Sequence, residues 1–314
     1  MKTFAMVLAL SLSPLGPAWS QRPDDVRADR TPLALPGGAR VEFKSLESSA
    51  LKGKGEYSIF LPPSYGKGTL SYPVVYFLHG LFNDHTSWTV SRHGNIPQLV
   101  EDLMREKKIP EMILVHPNGG RSFYTNYRDS SLSVEDFVVK ELREHVEATY
   151  RVKKSRNGRA IAGTSMGGYG ALKIAFKHPD LYGAVAAHSP IVLLSKNPLD
   201  VPPEMKASQR YSFFYNVFSA IYGDPIDQAY YDANNVLLLA KNPDLKKLGT
   251  YFDYGTADRY NQAIGLGEGL QALDRTLTEA GVPHTFNEYP GEPHGWELVV
   301  THLDSSLAFV ARSF

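Results

Sequence analysis

The pentapeptide Gly163-Thr164-Ser165-Met166-Gly167 lies between an apolar run at residues 159–162 and an amphipathic segment at residues 169–176. The first segment is typical of the end of a buried strand and the second of a helix. A serine at such a strand–turn–helix corner takes a strained backbone conformation that pushes its hydroxyl outward. The positions two before and two after it must be small, because the tight bend brings them together. The stretch therefore predicts a nucleophilic Ser165. The alternative is a glycine-rich turn that happens to contain a serine.

A serine hydroxyl needs a base within hydrogen-bond reach, and that base needs an orienting acid. In hydrolases with this corner the order along the chain is nucleophile, acid, histidine. Asp258 follows an apolar strand-like run, and His294 lies between the last predicted strand and the last predicted helix. Gly291 and Gly295 let the histidine loop fold close to the serine. Because all three loops follow the carboxyl ends of predicted strands, the sequence predicts a Ser165–His294–Asp258 triad.

Other residues compete for the roles of base and acid. The competing bases are histidines at strand boundaries, where a structural hydrogen-bonding role is the usual one: His79, His188 and His284. The competing acids are Asp224, Asp232, Asp253 and Glu292. Asp253 lies within a predicted strand, so we expect its side chain to point to one sheet face rather than into the cleft.

Acyl transfer also needs N–H donors for the anionic oxygen of the tetrahedral intermediate. The backbone N–H of Met166, at the start of the helix after the serine, is the first predicted donor, and the helix dipole favours it. The second is the N–H of Leu81, because Gly80 allows the loop after residues 74–78 to turn its amides inward. An ordinary strand-ending turn at His79-Gly80 is the alternative.

The arrangement of apolar segments predicts an α/β fold with a mostly parallel, doubly wound sheet and helices on both faces. Continuous apolar runs typical of strands covered on both faces occur at residues 74–78, 112–115, 160–162 and 184–187. Further strands are predicted at residues 249–254 and 284–289, and helices at 266–280 and 296–314. Residues 41–46 and 56–61 alternate between apolar and polar, which favours an antiparallel pair at the sheet edge with one wet face.

Two helical segments are predicted between these strands. Ser133 resembles a capping residue with an acid three positions later, and one helical face then presents Val134, Val138, Leu142, Val146 and Thr149. Residues 191–239 predict a helical excursion over the mouth of the site, rich in aromatic residues: Tyr211, Phe213, Phe214, Tyr215, Phe218 and Tyr222. These rings either hold the excursion against the protein or bind substrate, and the sequence leaves both open.

Composition excludes several classes of function. The 314 residues contain 33 basic and 33 acidic side chains, so no net field attracts nucleic acid or an anionic membrane. With no cysteine, the chain has no disulfides, thiolate nucleophile, lipid-modified cysteine or cysteine-based zinc site. The metalloprotease, phosphate-loop and dinucleotide motifs do not occur, so we expect no metal and no cofactor.

The N-terminal residues differ from the rest of the chain. Lys2, a short apolar run and Ala18-Trp19-Ser20 predict a signal peptide over residues 1–20, and hence export to the periplasm or the extracellular space. The alternative is an uncleaved membrane anchor, although the run is shorter than the ~20 residues that span a bilayer. Charged and proline-rich residues 21–40 predict a mobile leader, followed by a catalytic domain over residues 41–314.

The assembled motifs resemble the esterase family that includes esterase D-type enzymes, feruloyl and acetylxylan esterases of carbohydrate esterase family 1, and the mycobacterial antigen 85 mycolyltransferases. The resemblance rests on four stretches: residues 77–81, 117–124, 163–171 and 291–296. It implies an α/β-hydrolase fold, the same triad, and the Leu81 and Met166 amides as the oxyanion hole. Members of the family often have aspartate where Asn118 stands, and a glycine-histidine pair where Glu292-Pro293 precedes His294.

From these observations we expect an exported serine esterase that cleaves small or carbohydrate-linked esters through an acyl-enzyme, without stable insertion in a membrane. One alternative retains the triad but transfers the acyl group to a sugar or lipid alcohol, as in the mycolyltransferase branch. Another is a non-catalytic binding module on a hydrolase scaffold, since a fold does not determine a function.

Overall fold

The computed structural model describes residues 27, 29–195, 197–199, 206 and 209–314. Within these residues, nine strands form one sheet. In chain order they are β1 (Leu33–Ala34), β2 (Arg40–Ser48), β3 (Gly53–Leu61), β4 (Val74–Leu78), β5 (Ile113–Pro117), β6 (Arg159–Thr164), β7 (Ala184–His188), β8 (Gly249–Gly255) and β9 (His284–Tyr289). The predicted strands are thus confirmed, with bounds that differ by at most three residues.

The strand order is β1-β2-β3-β5-β4-β6-β7-β8-β9. All neighbours from β5 to β9 are parallel, whereas β1, β2 and β3 join by antiparallel pairing. The parallel strands β4 to β7 are buried along their whole length, as continuous apolar runs predict. The sequence prediction of a mostly parallel α/β sheet is therefore confirmed.

Helices cover both faces of this sheet. The described helices of eight or more residues are α1 (Ile96–Arg105), α2 (Met166–Lys177), α3 (Gln209–Tyr222), α4 (Leu266–Glu279) and α5 (Trp296–Ala311). Residues of α1 and α5 pack in one apolar cluster, and residues of α2 and α4 pack in the other. Because β4 and β6 are neighbours whose following helices lie on opposite faces, a crevice opens at the carboxyl ends of these two strands.

The antiparallel pair β2–β3 is confirmed, but the expectation of a solvent-exposed face holds only for β2. Residues 57–61 of β3 are buried on both faces, and β3 continues into the sheet by pairing with β5. The segment after β4 covers it: the Ser58 hydroxyl donates to the carbonyl of His85 at 2.5 Å and accepts from the Trp88 indole N–H at 2.9 Å.

The helical segment that begins after Ser133 differs from its prediction in two respects. Ser133 occupies the N-cap position, but its side chain makes no capping hydrogen bond. The side-chain oxygen of Asn126 instead accepts the amide of Asp136 at 3.1 Å. Val134, Val138, Leu142 and Val146 are buried as predicted, whereas Thr149 is exposed. The segment contains a π-helical stretch at Phe137–Leu142, and Thr149 is the last residue of the α-helical turns that follow it, next to an extended Tyr150.

Part of the predicted leader lies against the loop after β4. Leu33–Ala34 pairs with β2, the amide of Arg27 donates to the Thr86 hydroxyl at 2.8 Å, and Arg30 Nη1 lies 2.7 Å from His85 Nε2. The predicted signal peptide lies outside the described residues. Among the helices that the structure describes, none has the length and apolar character needed to cross a bilayer.

Candidate active site

Ser165 lies at the corner between β6 and α2 with φ 56° and ψ −118°, a conformation that non-glycine residues rarely adopt. Its amide donates to the carbonyl of His188 at 2.8 Å, which anchors the corner to β7. A Cβ at Gly167 would lie 2.1 Å from the carbonyl oxygen of Leu78, and one at Gly163 would lie 2.3 Å from the carbonyl oxygen of Gly167. Both glycines are therefore required by the close approach of backbones, and the predicted strained corner is present.

The structure brings Ser165, His294 and Asp258 together. Nε2 of His294 lies 2.9 Å from the Ser165 hydroxyl, and Nδ1 lies 2.5 Å from Oδ2 of Asp258. The side chains of Asp258 and His294 are almost fully buried, while Ser165 is partly exposed. An imidazole placed in this way accepts the serine proton at Nε2 and keeps its own proton at Nδ1, facing the carboxylate.

Each partner of the serine is fixed by its own loop. Oδ1 of Asp258 accepts the amide of Tyr260 at 2.8 Å and caps the short helix Arg259–Ile264, which leaves Oδ2 for the histidine. The Tyr260 ring meets the imidazole edge-on, with centroids 4.6 Å apart. The two loops are also joined, because the Ala257 amide donates to the carbonyl of Glu292 at 3.1 Å. Asp258 and His294 are therefore positioned as one unit.

A second Ser–His–Asp set lies inside the protein. His188 Nδ1 is 2.9 Å from Asp253 Oδ2, and His188 Nε2 is 3.0 Å from the hydroxyl of Ser306 on α5. None of the three side chains is more than 1% exposed, so no ester can reach this serine. Asp253 also accepts a hydrogen bond from the Tyr251 hydroxyl, at 2.8 Å. The set is a structural network beneath the corner at Ser165, and the sequence did not reveal that these residues meet.

The other competing histidines also have structural partners. His79 Nε2 accepts the amide of Gly119 at 3.0 Å, and Nδ1 donates to the carbonyl of Gly80 at 2.9 Å. Burial lowers the pKa of His79, so its ring stays neutral in this arrangement. His284 bridges the carbonyl of Val282 and the carboxylate of Asp274. The described hydrogen bonds of these two histidines do not include one to Ser165.

The loop after β4 approaches Ser165 closely. A Cβ at Gly80 would lie 3.5 Å from that of Ser165, and the next residue, Leu81, lines the same cavity as Ser165 and Met166. As the first residue of α2, Met166 has an N–H without an intrahelical acceptor. Both predicted oxyanion donors are thus located beside the serine.

A buried ion pair holds the residues that support this loop, and no sequence pattern indicated it. Lys173 on α2 is fully buried, and its ammonium donates to Oε2 of Glu135 at 2.8 Å, to the Thr125 hydroxyl at 2.9 Å and to the carbonyl of Tyr124 at 2.6 Å. Burial lowers the pKa of Lys173 to about 8. The Tyr124 hydroxyl in turn accepts the amide of His79 at 2.9 Å.

Ser165 opens into a cavity of ≈320 Å³, which we name the serine cavity. Its described walls come from the corner itself, from the loops of Leu81 and Phe123, from residues 191–195 and 198–199, from α3 and from the segment 260–268. Apolar side chains dominate, among them Leu81, Phe123, Met166, Ile191, Leu193, Leu199, Phe214, Phe218 and Ile264. Such a space suits the apolar part of a small molecule.

In the described part of residues 191–239 the predicted helical excursion is present from residue 209 onward, and its aromatic residues make two kinds of contact. Tyr211, Phe214 and Phe218 line the serine cavity. Tyr222 is buried and lies within 3.3 Å of the Tyr169 hydroxyl, so it attaches the excursion to α2. Phe213 packs on Phe82 of the loop after β4, with ring centroids 5.2 Å apart.

Within the described ranges, no group of three or more histidine or acidic side chains is arranged to hold a metal ion.

The sheet order, the strained corner after β6 and the loops that meet there define an α/β-hydrolase fold. The chain belongs to the esterase family described as "Putative esterase", whose profile matches residues 48–309. Esterase Rv1288 of Mycobacterium tuberculosis is 28% identical to it over 272 residues, which cover 80% of this chain and 55% of that protein. The chain thus spans about half the length of the curated relatives it matches.

Solved structures agree with this assignment. A ferulic acid esterase is 27% identical, with a TM-score of 0.70 over 88% of this chain and 98% of that one. MPT51 of Mycobacterium tuberculosis is 18% identical, with a TM-score of 0.61 over 86% of this chain and 98% of that one, and it supports the fold alone. The predicted resemblance to this family is confirmed.

Proposed function

We propose that the protein is a serine carboxylic-ester hydrolase that uses Ser165, His294 and Asp258. The observation that supports this most directly is the continuous chain of hydrogen bonds from Asp258 through His294 to a strained, partly exposed Ser165. His294 Nε2 takes the proton as Ser165 Oγ attacks the ester carbonyl carbon. Asp258 keeps the other ring proton at Nδ1 and stabilises the imidazolium that forms.

The tetrahedral intermediate places a negative charge on the former carbonyl oxygen. The N–H groups of Leu81 and Met166 would donate to it, and the N-terminal end of α2 adds its dipole. As the intermediate collapses, His294 returns the proton to the leaving alcohol and Ser165 retains the acyl group. Water, activated by the same histidine, then releases the acid. The substrates we propose are small or carbohydrate-linked esters, in keeping with the ferulic acid esterase that this chain resembles.

Substitution of the serine tests the assignment, and the chain offers a matched control. Ser165→Ala should abolish hydrolysis of p-nitrophenyl esters and labelling by a fluorophosphonate probe, while thermal unfolding stays close to that of the native protein. Ser306→Ala removes a serine that also bonds a histidine but lies in the interior, so labelling and turnover should persist. Turnover retained by Ser165→Ala would refute the proposal.

The same three side chains could deliver the acyl group to an alcohol other than water. Product analysis with added sugars separates the two outcomes, because a hydrolase releases free acid whereas an acyltransferase forms a new ester. We expect free acid. A protein that neither turns over an ester nor reacts with the probe would be the non-catalytic module instead.

We also propose that the protein is exported. Residues 1–20 support this by their positive start, apolar run and small residues near position 20. Expression of the full chain in a bacterium should give a processed protein outside the cytoplasm, with an N-terminus near Gln21 by sequencing. An unprocessed protein retained in the cytoplasm would contradict export.

A further inference from the structure

The position of the serine cavity indicates which half of an ester it holds. Ser165, Leu81 and Met166 line it, so the attacked carbonyl group lies at its entrance. His294 must reach the leaving alcohol oxygen, and it is not among the described residues that line the cavity. The leaving alcohol therefore departs on the histidine side. The other half of the ester, the acyl chain, therefore enters the cavity.

The lining also restricts the chemistry of the acyl group. Its described residues are mainly aliphatic and aromatic, and the one acidic side chain among them is Glu268, on the first turn of α4. No lysine, arginine or histidine is found among these described residues. An acyl chain that bears a carboxylate would lose its hydration and meet a like charge, which disfavours it. An uncharged apolar chain gains free energy for each methylene that it buries.

Two phenyl rings form the inner wall. Phe123 and Phe218 lie with ring centroids 5.0 Å apart, both nearly fully buried. Behind them is a second, much smaller space of ≈20 Å³, which both rings also line together with Tyr169, Tyr222 and Tyr231. Phe123 has φ 51° and its neighbour Tyr124 has φ 52°, so two consecutive non-glycine residues are left-handed here. Such strain is typical of functional sites, and it places one ring in the cavity wall while the next residue holds the loop of Leu81.

We propose that the serine cavity binds the acyl group of esters whose acyl chain is apolar, uncharged and longer than acetyl, and that Phe218 sets the length it accepts. This inference rests on the proposed function of Ser165. An acetyl methyl group would fill only a small part of a cavity of ≈320 Å³. Truncation of Phe218 would join this cavity to the space behind it and admit a longer chain.

The first experiment measures kcat/KM for p-nitrophenyl esters from acetyl to dodecanoyl, below their aggregation concentrations. Each methylene that becomes buried should raise kcat/KM up to about fourfold, so hexanoate should exceed acetate by at least about tenfold before the inner wall stops the increase. Isomeric esters then show whether the acyl half or the alcohol half of the substrate occupies the cavity. Methyl octanoate should be preferred to heptyl acetate, which has the same atoms but a long alcohol.

The second experiment changes the wall. Phe218→Ala should raise the ratio of decanoate to hexanoate turnover at least about fivefold, and Phe218→Leu should shift it less in the same direction. The Leu variant keeps a buried side chain and guards against loss of folding in the Ala variant. Phe309→Ala is the matched control, because that ring packs at a tilt against Tyr251, with centroids 5.5 Å apart near the end of α5, and should leave the length profile unchanged.

The outcomes separate this inference from the proposed function. Highest turnover with acetate, a preference for heptyl acetate, or a length profile that Phe218→Ala and Phe218→Leu leave unchanged would each overturn the inference while Ser165 still reacts with the fluorophosphonate probe. Absence of turnover with every ester, together with absence of labelling at Ser165, would overturn the proposed function itself.

Discussion

The hydroxyl oxygen of Tyr124 lies 2.9 Å from the amide nitrogen of His79, at the start of the loop that contains Leu81. The carbonyl of the same tyrosine accepts the buried ammonium of Lys173, on the helix that follows Ser165. Tyr124 therefore connects the helix behind the proposed nucleophile with the loop that provides the second proposed oxyanion donor. Its strained backbone, with φ 52°, is held by both contacts.

Tyr124→Phe should lower kcat about tenfold with little change in KM, since the unpaired amide of His79 costs roughly 1–3 kcal/mol and shifts the Leu81 loop. The control is Tyr182→Phe. That hydroxyl is equally buried, but it has no hydrogen-bond partner among the described residues, so its removal should leave kcat unchanged. Steady-state kinetics on one p-nitrophenyl ester give kcat and KM for the two variants. Equal kcat values for them would contradict a positioning role for Tyr124.

Asp258 has two partners, and two substitutions separate their contributions. Asp258→Asn should lower kcat about 10³–10⁴-fold because the amide no longer favours the required imidazole tautomer. Its stability should change little, because the amide oxygen still accepts the N–H of Tyr260. Asp258→Ala should lose the cap as well, at about 1 kcal/mol. Kinetics and urea unfolding give the two readouts, and an Ala variant as stable as the Asn variant would disprove the capping contribution.

Gly167 has a steric requirement that the serine motif predicted and the structure quantifies. A Cβ there would lie 2.1 Å from the backbone oxygen of Leu78, which cannot move without displacing β4. Gly167→Ala should therefore destabilise the protein by about 1–3 kcal/mol or more and disrupt the corner at Ser165. Gly53→Ala is the control, since nothing lies within 4 Å of a Cβ at the start of β3. Thermal unfolding compares the two, and similar melting temperatures would contradict the steric argument.

The sequence predicted the features that depend on local chain geometry or on the order of elements. The glycines around Ser165 follow from one tight bend, and Asp258 and His294 follow from loops at the carboxyl ends of parallel strands. Thr149 was predicted wrongly because it is the last residue of its helix, and the chain becomes extended at Tyr150. The pattern of apolar residues alone does not show at which residue a helix leaves the core.

Beyond the triad, the sequence did not predict contacts between side chains that are distant in the chain. His188 pairs with Asp253 65 positions later and with Ser306 118 positions later, and no sequence spacing encodes such a meeting. The walls of the serine cavity come from six separate segments, so its size and inner wall appear only in three dimensions. The same holds for the pair of Lys173 and Glu135.

Buried histidines near the loop after β4 contribute to the dependence of stability on pH. His85 is 1% exposed and receives a hydrogen bond from the Arg30 guanidinium at Nε2, while Asp84, Glu56 and His79 also act on it. Burial lowers the pKa of His85 to about 4, against an ordinary value of 6.5. Between these values the unfolded chain binds the proton and the folded protein does not. Stability is therefore complete above pH 6.5 and falls as the pH is lowered towards 4.

His85→Gln should reduce the loss of unfolding free energy between pH 7 and pH 5 by about 2 kcal/mol, at roughly 1.4 kcal/mol per pH unit below 6.5. His116, whose pKa burial also lowers, still contributes in this variant, so the dependence should weaken rather than vanish. Urea unfolding at a series of pH values provides the measurement. Parallel curves of unfolding free energy against pH for the native protein and the variant would show that His85 is not responsible.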